Sequence, residues 1–322
     1  MGFEGSVDKV YAQIMSNHPF GIALYRPQKE TVFRIGSCGY FDSFGSWNPI
    51  ANLEDAAEVK RKGLTPIEVE LERAPIEDDI RWGPKVSSTA KATALDLTVG
   101  LPVAPGIPVN VSTVFKYTSD LDTGAILLTE SPITHERFYH ESPFKNWIKK
   151  NSLNILKIWP EVRTYGLWVV TSTFATQRCA INLWSKKGQG LHVGFSADVA
   201  GLGEVGPEGE WYRSQTDEGW VEYGGKGKDR TVVFFGGLKF QYTWLMNKQL
   251  KPLKAPKFRG AKDNGPVVKK ETVGVVDDPE DEDAGYIVDC EEYLENDPSR
   301  TEAEGNDDDD INEDEDDPDE DW

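Results

Sequence analysis

Apolar and polar residues alternate with a period of two in the middle of the chain. One alternating run spans Leu95–Leu101, and a second spans Val109–Tyr117 after a Pro- and Gly-containing turn at 102–108. Such alternation is typical of antiparallel strands that bury one face. The two runs therefore predict a β-hairpin, and Ala125–Thr129 predicts a short strand after it.

A second group of strands is predicted further along the chain. Residues 167–184 are rich in Val, Thr, Phe and Trp and form a run longer than an average strand. After a Gly-containing turn, the alternating residues 192–199 indicate a return strand. We therefore predict a second hairpin over 167–199, and Thr231–Trp244 predicts a final strand.

Helices are predicted at two places. Four apolar residues of Val7–Met15 lie on one helical face and predict a short amphipathic helix. Two further helical segments are expected at Pro143–Asn151 and Leu153–Trp159, and Pro160 ends the second. Taken together, the elements predict an α+β fold with a twisted antiparallel sheet, long hairpins and a few short helices.

Charge divides the chain unevenly. Its 322 residues include 35 Lys and Arg against 55 Asp and Glu, but 26 of the acidic residues and one basic residue lie in 271–322. Residues 251–270 contain seven basic residues and one acidic residue. We therefore predict a folded body at 1–250, a basic neck at 251–270 and a disordered acidic tail at 271–322, since like charges repel and little apolar surface can be buried there.

Sequence motifs of catalysis are missing. The chain has no nucleophile-elbow, zinc-protease or phosphate-loop pattern, so we expect no enzyme activity, metal or cofactor. Cys38, Cys179 and Cys290 are odd in number and far apart, which favours a reducing compartment, and Cys179 is expected in the core. No secretory signal and no apolar run of about 18 residues is visible, so a cytoplasmic protein is expected.

A series of short segments follows an order found in one known family. In chain order they are the helix Val7–Met15, the tract Pro19–Tyr25, the runs Leu95–Leu101 and Val109–Tyr117, the helix start Ser142–Ile148, the strand Tyr165–Val170, the hairpin 167–199 and the late strand Val232–Phe235. Over residues 3–245 this order resembles the pore-forming domain of the gasdermins, and more closely the fungal gasdermin-like proteins. Two departures from the vertebrate members stand out. The first helix has one basic residue, Lys9, and no folded inhibitory domain is expected after residue 250.

The resemblance implies a membrane pore-forming protein. Such a protein binds acidic lipids, oligomerises with copies of itself and inserts β-hairpins, which causes regulated cell death. The tail would restrain it until an activating protease or a partner protein acts, with cleavage expected within 250–290. The inactive chain is then expected in the cytoplasm and the active chain at the plasma membrane or another cell membrane, without a nucleic-acid partner.

Two sets of residues are predicted to carry this function. Cations contribute about 1 kcal/mol each near anionic lipid, and a spanning strand needs about 9–11 residues with an apolar face. The predicted lipid-binding residues, with Val32 and Phe33 as an apolar anchor, are Lys9, Arg26, Lys29, Val32, Phe33, Arg34, Lys145, Lys149 and Lys150. The predicted membrane-inserting residues are Leu95, Leu97, Val99, Leu101, Val109, Val111, Val169, Ile181, Val193 and Phe195.

A competing interpretation needs no membrane. Alternation is also what any half-buried antiparallel sheet shows, and exposed lysines are common on a solvated face. The chain would then be a soluble β-rich interaction module whose acidic tail binds basic proteins such as histones. Salt-sensitive binding by the isolated tail, together with an inert body, would favour this alternative.

Overall fold

The computed structural model describes residues 6–95, 113–119, 123–184, 190–195, 212–214, 219–224, 229–245, 268–277 and 284–293. Within these ranges the chain forms three antiparallel sheets and a few mostly short helices, which confirms the predicted α+β class. The helices are α1 (Val7–Ile14), α2 (Ala56–Arg61), α3 (Ser142–Ile158) and α4 (Val162–Tyr165).

The largest sheet contains nine strands. They are β1 (Ile22–Lys29), β2 (Ser37–Phe41), β3 (Trp47–Asn52), β4 (Glu77–Ile80), β9 (Ile133–Arg137), β10 (Leu167–Thr176), β15 (Thr231–Leu245), β16 (Val268–Asp277) and β17 (Gly285–Tyr293). The long strand β15 organises this sheet. β10 pairs along one of its edges, while β1 and then β17 pair along the other. The predicted strand Thr231–Trp244 is therefore confirmed.

Two smaller sheets have four strands each. The first small sheet contains β5 (Lys85–Val86), β8 (Gly124–Thr129), β11 (Arg178–Trp184) and β14 (Trp220–Gly224), and the second contains β6 (Ala90–Leu95), β7 (Thr113–Ser119), β12 (Gly190–Phe195) and β13 (Tyr212–Ser214). The two small sheets have matching strand orders. Each strand of one sheet is next in the sequence to the strand that occupies the same position in the other sheet, which gives the pairs β5 with β6, β8 with β7, β11 with β12 and β14 with β13. The arrangement is thus four long strands, each interrupted between the two sheets. β6 and β7 pair antiparallel, and Leu95 lies opposite Val114, which agrees with the first predicted hairpin at this pair. Residues 96–101 and 109–112 of the predicted runs lie outside the described residues.

The main hydrophobic core lies between α3 and the large sheet. α3 buries Phe144, Trp147, Ile148 and Leu156 there. The sequence predicted two helical segments, but α3 is a single helix. Its buried polar residues are satisfied within the fold: Asn151 accepts a hydrogen bond from the Thr65 N–H at 2.7 Å, and Ser152 donates to the Ile148 carbonyl at 2.8 Å.

The second predicted hairpin is wrong. The run 167–184 divides at Gln177 into β10, in the large sheet, and β11, in the first small sheet. β12 pairs with β7 and β13, and β11 pairs with β8 and β14. Every residue of β10 is buried, which is typical of a central strand covered on both faces. Because β10 is buried on both faces, its sequence lacks the alternation that would indicate which strands pair with it.

The predicted boundary of the folded body is also wrong. β16 starts within the predicted neck and continues into the predicted tail, and β17 lies wholly within that tail, yet both belong to the large sheet. The physical reason is an apolar inward face: Tyr286, Val288 and Cys290 alternate along β17 and are buried in the main core. Residues 294–322 of the predicted tail and 251–267 of the predicted neck lie outside the described residues.

Candidate functional site

Two predicted lipid-binding residues lie at the corner formed by α1 and β1. Tyr11 and Met15 are fully buried and hold α1 against the body, while Lys9 is exposed. Arg26 of β1 is also exposed, and its Nε lies 3.6 Å from Asp8 Oδ1. The corner therefore carries two accessible cations, one of them partly neutralised by its neighbour.

The turn between β2 and β3 lies beside this corner. Asp42 Oδ1 accepts hydrogen bonds from the N–H groups of Phe44 and Ser46, each at 2.9 Å, and these bonds lower the pKa of the carboxyl group. Gly45 has φ of 74°, and a Cβ added there would lie 2.4 Å from the Asp8 carboxylate, so the turn touches α1. The Phe44 side chain is 72% exposed. This exposed aromatic residue was not among the predicted lipid-binding residues.

The segment after β1 carries the other predicted residues of this group. Lys29 and Arg34 are exposed, and Val32 is 48% exposed. Phe33, by contrast, is fully buried, with its ring 4.8 Å from that of Trp47. Phe33 therefore supports the core in this conformation and is not an accessible apolar anchor. Phe44, which the prediction missed, is the accessible aromatic residue of this region.

α3 supplies a second cationic surface. It contains four lysines and no acidic residue. Lys149 and Lys150 are exposed, as predicted lipid-binding residues must be, and the exposed apolar side chains Leu153 and Ile158 lie on the same helix. Lys150 also lies 3.3 Å from Glu68, with both side chains mostly exposed. We call Lys149, Lys150 and Leu153, which lie within about 100° of one another around the helix, the outer face of α3. The prediction did not include Leu153.

Lys145, the third predicted lysine of α3, is not freely accessible. Its ammonium group lies 2.8 Å from Glu271 of β16 and also pairs with Glu292 of β17. Glu292 is buried, and the Lys145 side chain is 19% exposed. Partial burial lowers the pKa of Lys145, but hydrogen bonds to the two carboxylates outweigh this effect and raise the pKa above its ordinary value. The acidic C-terminal strands therefore neutralise one predicted lipid-binding cation.

The central strands of the two small sheets share one register. β8 and β11 place Thr129 opposite Cys179, and β7 and β12 place Thr113 opposite Phe195. Thr113 and Thr129 are separated by as many residues as Cys179 and Phe195. The two ladders therefore have a common register, as two parts of one interrupted ladder. The outer pairs shift, since Val86 lies opposite Ile126 but Ala90 lies opposite Ser119.

Both sheets contribute to one apolar cluster, and the first small sheet is apolar on its other face as well. The shared cluster contains Ile126, Leu128, Ala180 and Trp184 of the first sheet, with Tyr117, Leu191 and Val193 of the second. The neighbouring residues Leu127, Cys179 and Ile181 point into the body. The burial of Cys179 agrees with its predicted place in the core.

The ten predicted membrane-inserting residues fall into three groups. Val169, Ile181 and Val193 are fully buried, although Val169 belongs to the large sheet. Leu95 ends β6 and Phe195 ends β12. The remaining residues lie outside the described part of the chain and are Leu97, Val99, Leu101, Val109 and Val111.

The end of α1 is linked to the first small sheet. The Ser88 N–H, between β5 and β6, donates to the Ile14 carbonyl at 2.9 Å. Asn17 Nδ2 donates to the Val86 carbonyl at 3.1 Å. Movement of α1 would therefore act directly on the segment that joins two strands of the small sheets.

Comparison with known proteins adds no relative. No protein-family model matches the chain, and a search of curated proteins finds no significant match. Among the described residues, no helix has the length and the apolar character needed to cross a bilayer.

Proposed function

We propose that this chain is a gasdermin-like pore-forming protein. It binds acidic membrane lipids, oligomerises with copies of itself and inserts β-hairpins, so that the permeabilised cell dies. Its C-terminal part restrains it until a protease or a partner protein acts. The inactive form is cytoplasmic and the active form is at the plasma membrane or another cell membrane.

The four interrupted strands of the small sheets carry this proposal. The two central combined strands, β7 with β8 and β11 with β12, each contain more strand residues than the about 9–11 that a spanning strand needs. The continuous register of the central ladder supports extension into longer paired strands without a change of partner. Pairing is required in lipid, because an unpaired backbone group there costs several kcal/mol. The hairpins we now propose are 85–95 with 113–129, and 178–195 with 212–224.

Two surfaces support lipid binding. The α1 corner combines Lys9 and Arg26 with the exposed ring of Phe44, and the outer face of α3 combines Lys149 and Lys150 with the exposed side chain of Leu153. Each lysine or arginine near an anionic surface contributes about 1 kcal/mol. Apolar groups add the hydrophobic term when they enter the interface. Both surfaces therefore favour an anionic bilayer over a neutral one.

The C-terminal strands supply a physical basis for restraint. They bury a core face against β15 and α3, and their carboxylates hold Lys145. A chain without them regains Lys145 as a free cation and exposes an apolar surface. Both changes favour association with an anionic membrane.

Leakage from liposomes tests the proposal. The full chain, a chain ending at residue 293 and a chain ending at residue 250 are added to dye-filled liposomes of anionic or neutral lipid, at low and high salt. We expect leakage from the anionic liposomes with the chain ending at 250, reduced by salt, and little leakage with the other two. The proposal fails if that shortest chain is folded by circular dichroism but neither causes leakage nor is toxic when expressed.

A further inference from the structure

A group of hydrogen bonds joins the end of α1 to β5. The Nε2–H group of His18 donates to the Val86 carbonyl oxygen at 2.9 Å, and Asn17 Nδ2 donates to the same oxygen at 3.1 Å. Just beyond, the Ser88 N–H donates to the Ile14 carbonyl at 2.9 Å. We call this set of contacts the α1–β5 junction. It attaches α1 to the segment that connects β5 and β6.

His18 and Lys85 pack against the same aromatic residue of this junction. The Lys85 ammonium nitrogen lies 5.1 Å from the ring centroids of both Phe20 and Trp82. The His18 ring lies 6.3 Å from the Phe20 ring and 6.1 Å from the Phe234 ring. In the part of the chain that the structure describes, neither His18 nor Lys85 forms an ion pair with a carboxylate. A positive charge on His18 would therefore meet no paired counter-charge among these residues.

The junction disfavours the charged form of His18. Burial lowers the pKa of His18 from its ordinary 6.5; the hydrogen bond to Val86 opposes this effect, and the charge of Lys85 adds to it. Lys85 is the charged group that acts on His18 among the described residues, since Phe20 and Phe234, which also face it, do not titrate. The neutral imidazole therefore fits the closed junction better than the imidazolium does.

We infer that protonation of His18 opens the α1–β5 junction, so that acidification separates the end of α1 from β5. In the open junction the imidazolium is hydrated and lies away from Lys85, and the histidine titrates at its ordinary value. The closed junction is thus favoured above pH 6.5 and weakens as the pH falls below it. One proton can shift this equilibrium toward opening by at most about tenfold between pH 7.5 and 5.5.

Opening of the junction would act on the first proposed hairpin. The contacts at Val86 and Ser88 hold the arm 85–95 of that hairpin to α1, and their loss frees this arm for extension. This consequence rests on the proposed function, whereas the opening of the junction does not.

Hydrogen exchange at the Ser88 amide of the full chain tests the inference. This N–H is protected by its hydrogen bond to the Ile14 carbonyl, so it exchanges when the junction opens. Rates are measured by NMR at pH 7.5 and 5.5 and are corrected for the intrinsic effect of pH on exchange. We expect protection to fall severalfold at pH 5.5, and by no more than about tenfold. Protection that is equal at the two pH values would overturn the inference.

A variant without the titratable group identifies His18 as the source. His18→Gln keeps a side-chain N–H donor for the Val86 carbonyl, so we expect equal protection of Ser88 at the two pH values. The matched control is His140→Gln, whose side chain is 67% exposed and which should keep the wild-type fall. A fall of wild-type size in His18→Gln would overturn the inference.

Lys85→Gln tests the neighbouring charge and leaves His18 in place. Without the ammonium group the pKa of His18 in the closed junction moves toward 6.5, so we expect a smaller fall in Ser88 protection. Circular dichroism and the urea midpoint at pH 7.5 show whether each variant is folded. A fall as large as that of the wild type would contradict the repulsion assigned to Lys85.

Leakage at the two pH values separates this inference from the proposed function. The full chain, and the chain ending at residue 250 once it is shown to be folded, are added to liposomes of phosphatidylglycerol, whose charge is the same at pH 5.5 and 7.5. We expect the shorter chain to cause faster leakage at pH 5.5, by up to about tenfold, and its His18→Gln variant to show no such difference. A pH-dependent Ser88 amide without leakage by either chain contradicts the proposed function and leaves the junction as inferred. Leakage together with pH-independent protection of Ser88 supports that function and contradicts the inference.

Discussion

Replacing Val288 with alanine tests whether β16 and β17, the C-terminal strand pair, belong to the folded core. Val288 is 1% exposed in β17 and contacts the main cluster. The substitution removes two methyl groups, each worth about 0.8 kcal/mol of transfer free energy, and leaves a small cavity. We therefore expect the free energy of unfolding of the full chain to fall by about 2 kcal/mol. A disordered tail would show no change.

Val275→Ala is the matched control. It makes the same chemical change in β16, where the side chain is 47% exposed, so we expect a loss below about 1 kcal/mol. Urea denaturation followed by tryptophan fluorescence measures both variants, and the midpoint should shift with an unchanged slope. Equal midpoints for the two variants would refute the packing of β17 described above.

Three further predictions concern the surfaces and the strand pair. Phe44→Ser should weaken binding of the active chain to anionic liposomes by up to about tenfold, a change of about 1.4 kcal/mol, without shifting the urea midpoint; unchanged cosedimentation with liposomes would contradict a role for this turn. Reversing Lys149 and Lys150 together to glutamate should weaken binding to those liposomes by about thirtyfold or more and reduce its salt dependence, since each cation contributes about 1 kcal/mol; binding that persists with the same strength and salt dependence would exclude the outer face of α3. The third prediction is a pH dependence. Although burial raises the pKa of Glu291, hydrogen bonds from Lys270 and Tyr293 lower it below 4.5, so its stabilising contribution is present above pH 4.5 and is lost as the pH falls further. The Lys145 pKa is raised from 10.5, so its contribution is present below pH 10.5 and is lost only at higher pH. The urea midpoint of the full chain should therefore lose these two contributions only outside these limits. Loss of the difference in midpoint between the full chain and its Lys145→Gln variant near neutral pH would be inconsistent with these groups.

Elements with a simple pattern were predictable. The spacing of apolar residues in Val7–Met15 gave helix α1, and the β-branched and aromatic residues of Thr231–Trp244 gave β15. α1 buries one face, so its helical period is visible in the sequence. β15 is long and distinct because neighbours cover both of its edges.

Elements whose character depends on distant partners were not predictable. All residues of β10 are buried, so its sequence contains no alternation that could identify its neighbours. β17 was hidden by its charge, because Asp289, Glu291 and Glu292 suggested repulsion. In the fold, Lys145 pairs with Glu292, Lys270 pairs with Glu291, and the Thr272 hydroxyl donates a hydrogen bond to Asp289. Net charge over a long window cannot show such pairing.

The exposure of most predicted cations could be expected from the sequence, with Lys145 as an exception, whereas the exposure of single apolar residues could not. Lys9, Arg26, Lys149 and Lys150 are exposed as expected, because lysine and arginine are costly to bury without partners. Local sequence does not distinguish Phe33 from Phe44, since each follows a turn or strand end next to polar residues. Only the packing of the β2–β3 turn shows that one ring is buried and the other exposed.

Electrical recording across a planar bilayer tests pore formation most directly. The chain ending at residue 250 is added to a bilayer containing anionic lipid, with the full chain as the control. We predict discrete, lasting steps of conductance from the shorter chain, and neither the full chain nor a neutral bilayer should show them. A folded body that binds the anionic bilayer and produces no conductance would contradict pore formation by this chain.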